Sequence, residues 1–166
     1  MKRLALLVLL LPSSVYASEA LYKMTQNGAV ACLARAVYQE ANTQGERGRE
    51  AVIAVIVNRA IEQQKHVCEI VKQPSQFSWV KHGTNVAKLT DSKEAEKFVL
   101  NVIAKTARTG YNSYRGVQYF YAHKQGKPVW ANKMSCVRIE DHTFCAKGWS
   151  IPAAKQNKGE CMEKLV

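Results

Sequence analysis

The sequence predicts an α+β fold: one mainly helical domain with a small β-hairpin region. Three observations carry this expectation. Apolar residues recur at helical spacing in three long stretches before residue 110. From residue 117 the pattern changes to short, aromatic-rich extended pieces. Cys136 and Cys145 bracket a segment of the right length for a tight hairpin.

The first seventeen residues have the form of a secretory signal. Lys2 and Arg3 precede the apolar run Leu4 to Leu11, and Val15-Tyr16-Ala17 is a small-x-small site before Ser18. The run is too short to span a bilayer alone, so no permanent membrane anchor is expected after cleavage. Residues 18–150 are assigned to the folded domain and 151–166 to a basic tail.

Residues 28–41 place Val30, Leu33, Ala34, Val37 and Ala41 on one helical face, and Asn42-Thr43-Gln44-Gly45 ends the helix. Residues 46–63 are apolar around most of their circumference, which predicts a buried central helix. Residues 66–72 form a connector or a single helical turn, and 73–80 a loop. A third helix is expected over 91–109, opened by a capping-box-like Asp91 with Glu94 and closed by Gly110. Residues 117–122 suit a strand, 129–131 another extended piece, and 136–145 a hairpin turning at Glu140-Asp141. The Lys-rich segment after Pro152 reads as a surface extension.

The net charge of +11 falls by two when Lys2 and Arg3 leave with the signal. Such a balance implies a polyanionic partner. The basic residues are scattered and form no nucleic-acid motif, so nucleic acid is not expected; an anionic wall polymer or lipid surface suits an exported chain better. Export also permits disulfides. A two-residue turn at 140–141 sets Cys136 opposite Cys145 at a non-hydrogen-bonded position, where the Cα separation of about 4.5 Å allows a disulfide. Of the remaining three cysteines, Cys32 with Cys68 is the better pair, leaving Cys161 in the tail. No paired-cysteine or HExxH spacing is present, and no metal or other cofactor is expected.

Glu40 is the leading catalytic candidate. It closes an apolar helix, one turn beyond Val37 and two beyond Leu33. Burial and the negative end of the helix both disfavour its charged form, so it tends to hold a proton near neutral pH, as a general acid must. The bland alternative is an exposed helix-end carboxylate.

The order of motifs then becomes informative. Cys32-Leu-Ala-Arg-Ala-Val-Tyr-Gln-Glu40-Ala41 is followed by Gly48 and by Ala51-Val-Ile-Ala-Val-Ile-Val-Asn58-Arg59. Further on come Val67-Cys-Glu-Ile-Val71, Gln76-Phe77-Ser78-Trp79, Phe120-Tyr121-Ala122-His123, Pro128-Val129-Trp130-Ala131 and Ile139-Glu-Asp-His142-Thr-Phe144. This ordered set, covering about residues 31–145, resembles the SleB-type spore cortex-lytic cell-wall hydrolases. The resemblance implies a lysozyme-like fold, related to lytic transglycosylases. It also implies cleavage of peptidoglycan between N-acetylmuramic acid and N-acetylglucosamine, with Glu40 as acid and base and a 1,6-anhydro product. A muramidase-type hydrolase, an N-acetylmuramoyl-L-alanine amidase and a non-catalytic wall-binding module are the alternatives. Many such relatives carry Arg-Gly-Glu after the Glu-Ala step; here Asn42-Thr43-Gln44 stands there, and Glu140 stands where they often have Gly.

The expected substrate-binding residues are Gln76, Phe77, Trp79, Tyr121, His123, Trp130 and His142, with peptidoglycan as the partner. Phe77 reads equally as a loop pin, Trp130 as a sugar platform or a core plug, and His123 and His142 as ligands or satisfied structural groups. Asn58, a buried amide on an apolar helix, must be hydrogen-bonded and is expected in a supporting role. Glu46 and Glu50 read as first-turn acids of the second helix. The protein is expected to be an exported monomer in the periplasm, outside the cell or at the cell wall.

Overall fold

A computed structural model describes residues 12–74, 76–80, 92–110 and 114–147. Five helices precede a three-stranded sheet: α1 Pro12–Thr25, α2 Ala29–Ala41, α3 Glu46–Glu62, α4 Val67–Lys72, α5 Lys93–Thr109, then β1 Tyr119–Ala122, β2 Ser135–Ile139 and β3 His142–Ala146. The mainly helical α+β expectation holds. The Lys-rich tail and Cys161 lie outside the described residues, as does most of the signal segment.

The central helix is α3. Its residues from Ala51 to Ile61 are buried without interruption, and α1, α2 and α4 pack around it. Uniform burial follows from a sequence that offers no polar face until its ends. The polar residues it does bury are hydrogen-bonded. Asn58 donates to the carbonyls of Tyr114 (2.8 Å) and Val117 (2.7 Å) and accepts from the Tyr16 hydroxyl at 2.5 Å. It therefore fastens α3 to α1 and to the segment entering β1. Arg59 donates from Nε to the Gln118 carbonyl at 2.6 Å and lies over the Tyr119 ring.

Two expectations need correction. α5 is capped by Ser92, whose hydroxyl accepts from the Ala95 amide at 3.2 Å; Asp91 lies outside the described residues. A hydroxyl three residues before an amide has the reach that a cap needs. The 129–131 piece is a 3₁₀ turn, Val129–Lys133, rather than extended chain. Pro128 supplies the fixed φ that starts such a turn. Helix α1 was not expected. It runs through the Ala17–Ser18 step and buries Ala20 and Met24 in the core.

The sheet order is β1-β3-β2, antiparallel throughout. Ile139 pairs with His142, so Glu140 and Asp141 form the two-residue turn, and Cys136 pairs with Cys145. That disulfide is formed with a Cα separation of 4.1 Å, and Cys32–Cys68 ties α2 to α4. By loop length the two crosslinks stabilise the fold by about 3 and 4 kcal/mol, the longer loop gaining more.

The hairpin turn docks on the start of α3. Gly45, the N-cap, has no side chain to satisfy the helix, and Glu140 supplies that role from across the fold: its Oε2 accepts from the Gly45 amide at 2.6 Å. Glu140 takes a left-handed φ of 54°. The cost of that conformation is offset by a carboxylate placed at the positive end of a helix. Gln44 secures the same turn, donating to Asp141 Oδ2 and accepting from the Asp141 amide, each at 3.1 Å. A Cβ at Gly48 would stand 2.8 Å from Glu140 Oε2 and 2.9 Å from Gln44 Cβ. Gly48→Ala is expected to destabilise the protein by about 1–3 kcal/mol through this crowding, although alanine is the better helix former by about 1 kcal/mol. Urea denaturation measures it. Glu140→Ala should cost less in the Gly48→Ala background than in the parent, because the two changes strike one contact; strict additivity would show that Glu140 is not what Gly48 accommodates.

Candidate active site

Glu40 sits in the last turn of α2, half-buried. The same helix presents Leu33 and Val37 to the core, and no basic residue occupies its last turn. Burial raises the Glu40 pKa; the opposing influence is a hydrogen bond from Trp79 Nε1 to Glu40 Oε1 at 2.8 Å. No charged side chain among the described residues contributes to the shift. The result is a carboxyl group whose proton is favoured by desolvation and whose orientation is fixed by an indole N–H.

Trp79 is held in turn. Phe77, two residues earlier, is buried and stacks on Trp79 with centroids 5.7 Å apart. Phe77 also meets Phe120 of β1 at 6.3 Å. Phe120 stacks on Phe144 at 5.5 Å and receives His142 edge-on at 5.3 Å. A continuous aromatic chain therefore joins Glu40 to the inner face of the sheet. Phe77 lies inside this chain and is 3% exposed. Gln76 is exposed on the same loop.

His142 is 8% exposed, and its Nδ1 is buried without a hydrogen-bond partner among the described residues. Burial lowers its pKa, only partly opposed by Asp141 and Glu140. It is therefore held neutral near pH 7, with one ring nitrogen able to donate and the other to accept.

Strand alternation divides the other expected ligand residues from these. Phe120, His142 and Phe144 share the inner face, whereas Tyr119, Tyr121, Thr143 and the Cys136–Cys145 disulfide share the outer one. Trp130 packs on that outer face, 5.7 Å from Tyr119 and 5.8 Å from Tyr121. His123 is exposed just beyond β1, with Nδ1 3.4 Å from Thr143 Oγ1. Thus Phe77, Trp79 and His142 belong to the aromatic chain that reaches Glu40, whereas Tyr121 and Trp130 pack on the other face of the sheet.

Glu50 pairs with Lys105 at 2.6 Å beside a cavity of about 380 Å³ that Gln44, Glu46, Arg49 and Asn101 also line. Glu40 does not line that cavity. Among the described residues no three His, Cys, Asp or Glu side chains are placed to hold a metal ion.

A family model described as Cell Wall Hydrolase matches residues 43–145, more than half of the chain. The chain belongs to the cell wall hydrolase family. The match covers α3, α4, α5, the Trp79 loop and the sheet of this cell wall hydrolase as far as Cys145, and it begins three residues beyond Glu40. The domain is thus that of an enzyme acting on the cell wall. No curated protein and no solved structure matches the chain.

Sequence reasoning missed two parts of this cell wall hydrolase. Phe120 belongs to the aromatic chain; its alternation with Tyr119 and Tyr121 was the available signal. The grip of Glu140, Asp141 and Gln44 had none, since it joins residues more than ninety positions apart.

Trp79 makes a sharp prediction. Its N–H favours the ionised form of Glu40, so Trp79→Phe raises the Glu40 pKa further. The alkaline limb of the kcat/KM profile on cell walls is expected to move to higher pH. A shift to lower pH would remove the Trp79–Glu40 bond from the account.

Proposed function

We propose that this cell wall hydrolase is an exported SleB-type lytic transglycosylase that cleaves peptidoglycan between N-acetylmuramic acid and N-acetylglucosamine. One observation carries the reading: Glu40 is a half-buried, proton-retaining carboxyl group oriented by Trp79, with no second carboxylate acting on it among the described residues. A double-displacement or water-activating glycosidase needs two carboxyl groups flanking the bond. A transglycosylase manages with one.

In the first step the Glu40 carboxyl proton passes to the glycosidic oxygen. The bond from that oxygen to the muramyl anomeric carbon breaks, and N-acetylglucosamine leaves with a free hydroxyl. Glu40, now ionised, takes the proton of the muramyl C6 hydroxyl while that oxygen bonds to the anomeric carbon. The 1,6-anhydro ring closes, no water is consumed, and Glu40 regains its proton. Burial favours the acid form at the start, and the Trp79 hydrogen bond supports the carboxylate in between. Trp79 offers an aromatic face for a sugar ring, and neutral His142 and exposed Gln76 offer polar groups for hydroxyl or acetamido recognition.

Gln44 supports the same reading. It occupies the position where SleB-type relatives often carry a second acid, and both polar atoms of its amide are taken up by Asp141. Export is supported by the two disulfides. No helix among the described residues is long and apolar enough to cross a membrane.

Glu40→Gln is expected to abolish wall cleavage while the fold persists. Mass spectrometry of the parent's digest should show anhydromuropeptides. Reducing muramyl ends would indicate hydrolysis, and freed stem peptides an amidase. The same variant has a stability signature. A raised carboxyl pKa costs stability as pH climbs from the ordinary glutamate range through the folded value. Glu40→Gln should therefore match the parent below about pH 4 and melt at an equal or higher temperature near pH 7. A lower melting temperature at pH 7 would count against a charge-disfavouring site.

A further inference from the structure

We propose, building on the wall-cleaving reading above, that the outer face of the sheet is a second glycan-binding surface. It holds an uncut peptidoglycan strand while Glu40 works on the opposite side.

The surface is made by one connection folded over β1. Residues 123–134 leave β1 through the 3₁₀ turn His123–Gln125 and return through Val129–Lys133. Trp130 is thereby wedged against Tyr119 and Tyr121, at 44° to the first ring and edge-on to the second. Two tyrosines fix its orientation, yet Trp130 remains 40% exposed and the adjoining Val129 85%. A large ring that is immobilised but uncovered suits stacking on a sugar face, because little side-chain freedom is lost on contact. The Cys136–Cys145 bridge lies on the same face and stiffens the strands below.

Charge selects the occupant. Between residues 114 and 147 the basic residues are Arg115, Lys124, Lys127, Lys133, Arg138 and Lys147. Lys124, Lys127 and Lys133 lie in the connection itself and are exposed; Lys147 Nζ stands 5.8 Å from the Tyr119 ring centroid. The acids in this stretch are Glu140 and Asp141, both drawn to the start of α3 by Gly45 and Gln44. Lysines thus outnumber acids beside these aromatic rings, with Lys124 also near enough to Asp141 to favour its ionised form. Peptidoglycan matches both features: sugar rings along the strand and carboxylates on its stem peptides. Such a surface gives the enzyme a way to stay on an insoluble substrate.

The test uses the full chain carrying Glu40→Gln, so that walls stay intact, and measures retention on purified sacculi. Adding Trp130→Ala should weaken retention roughly tenfold. A Lys124→Gln/Lys127→Gln/Lys133→Gln variant, which keeps the aromatic packing, should also bind less and lose most of its salt sensitivity. Unchanged retention in both variants overturns the proposal. So does a loss seen on phosphatidylglycerol–phosphatidylethanolamine vesicles but not on sacculi, which would make the surface a lipid contact. In otherwise wild-type protein, an equal loss of cleavage by Trp130→Ala on a short soluble muropeptide and on sacculi would place Trp130 in the groove, and also overturn it. Retention is read without turnover. If Glu40 proves not to be the acid, the binding result still stands or falls by itself.

Discussion

An apolar helix that must bury a few polar groups organises this molecule. α3 has no exposed face along most of its length, so its polar groups take partners inside the protein, Arg59 Nη1 excepted among the described residues. Those partners decide where everything else docks. Asn58 takes up the hydroxyl of Tyr16 and two carbonyls of the segment before β1. Arg59 takes up the next carbonyl and a ring of β1. At the other end of the helix, the Gly45 amide takes up Glu140. The sheet is thereby fixed to both ends of one helix, and its inclination over the core leaves little choice. An unmade bond at any of these points would leave a donor without water, which costs more than the bond gains.

This placement serves the chemistry. With the sheet fixed, Phe120 and Phe144 present a flat apolar wall, and Phe77 closes on it. Phe77 then positions Trp79, and Trp79 positions Glu40. None of these aromatic residues titrates at neutral pH. The environment of the carboxyl group is therefore set by packing, which a nearby salt or pH change does not alter. A carboxyl group whose proton affinity is raised by desolvation keeps that affinity for as long as the packing around it holds.

Much of this was readable from the residues, and the reasons differ by element. α2, α3 and α5 announce themselves by helical spacing that no strand could satisfy, and the hairpin by cysteines whose positions only one register aligns. Glu40 was legible because its helix partners are local. α1 was not: its weak apolar pattern abuts a leader-like run, and its burial comes from distant helices rather than from its own period. The division of the ligand candidates between two faces was half legible. Alternation separates Phe120 from Tyr121, but which face meets Glu40 depends on the Phe77 contact, made across more than forty residues. Ser92 outcompeted Asp91 as the cap by one position, a distinction that pattern alone does not resolve.

The pair Gln44 and Asp141 shows how one side chain of the turn constrains another. An amide can give a proton to a carboxylate and accept one from a backbone N–H at the same time, and Gln44 does both with Asp141. A glutamate at position 44 has only acceptors when ionised; it would satisfy the Asp141 amide but face the Asp141 carboxylate across about 3 Å, the spacing at which like charges no longer both ionise freely. Glu140, whose carboxylate already occupies the start of α3, would add a third negative group to the same corner. With acids at 140 and 141, the neutral side chain at 44 is therefore what allows the turn to dock. Gln44 is thus a neutral latch on the hairpin turn, and it leaves the start of α3 to Glu140.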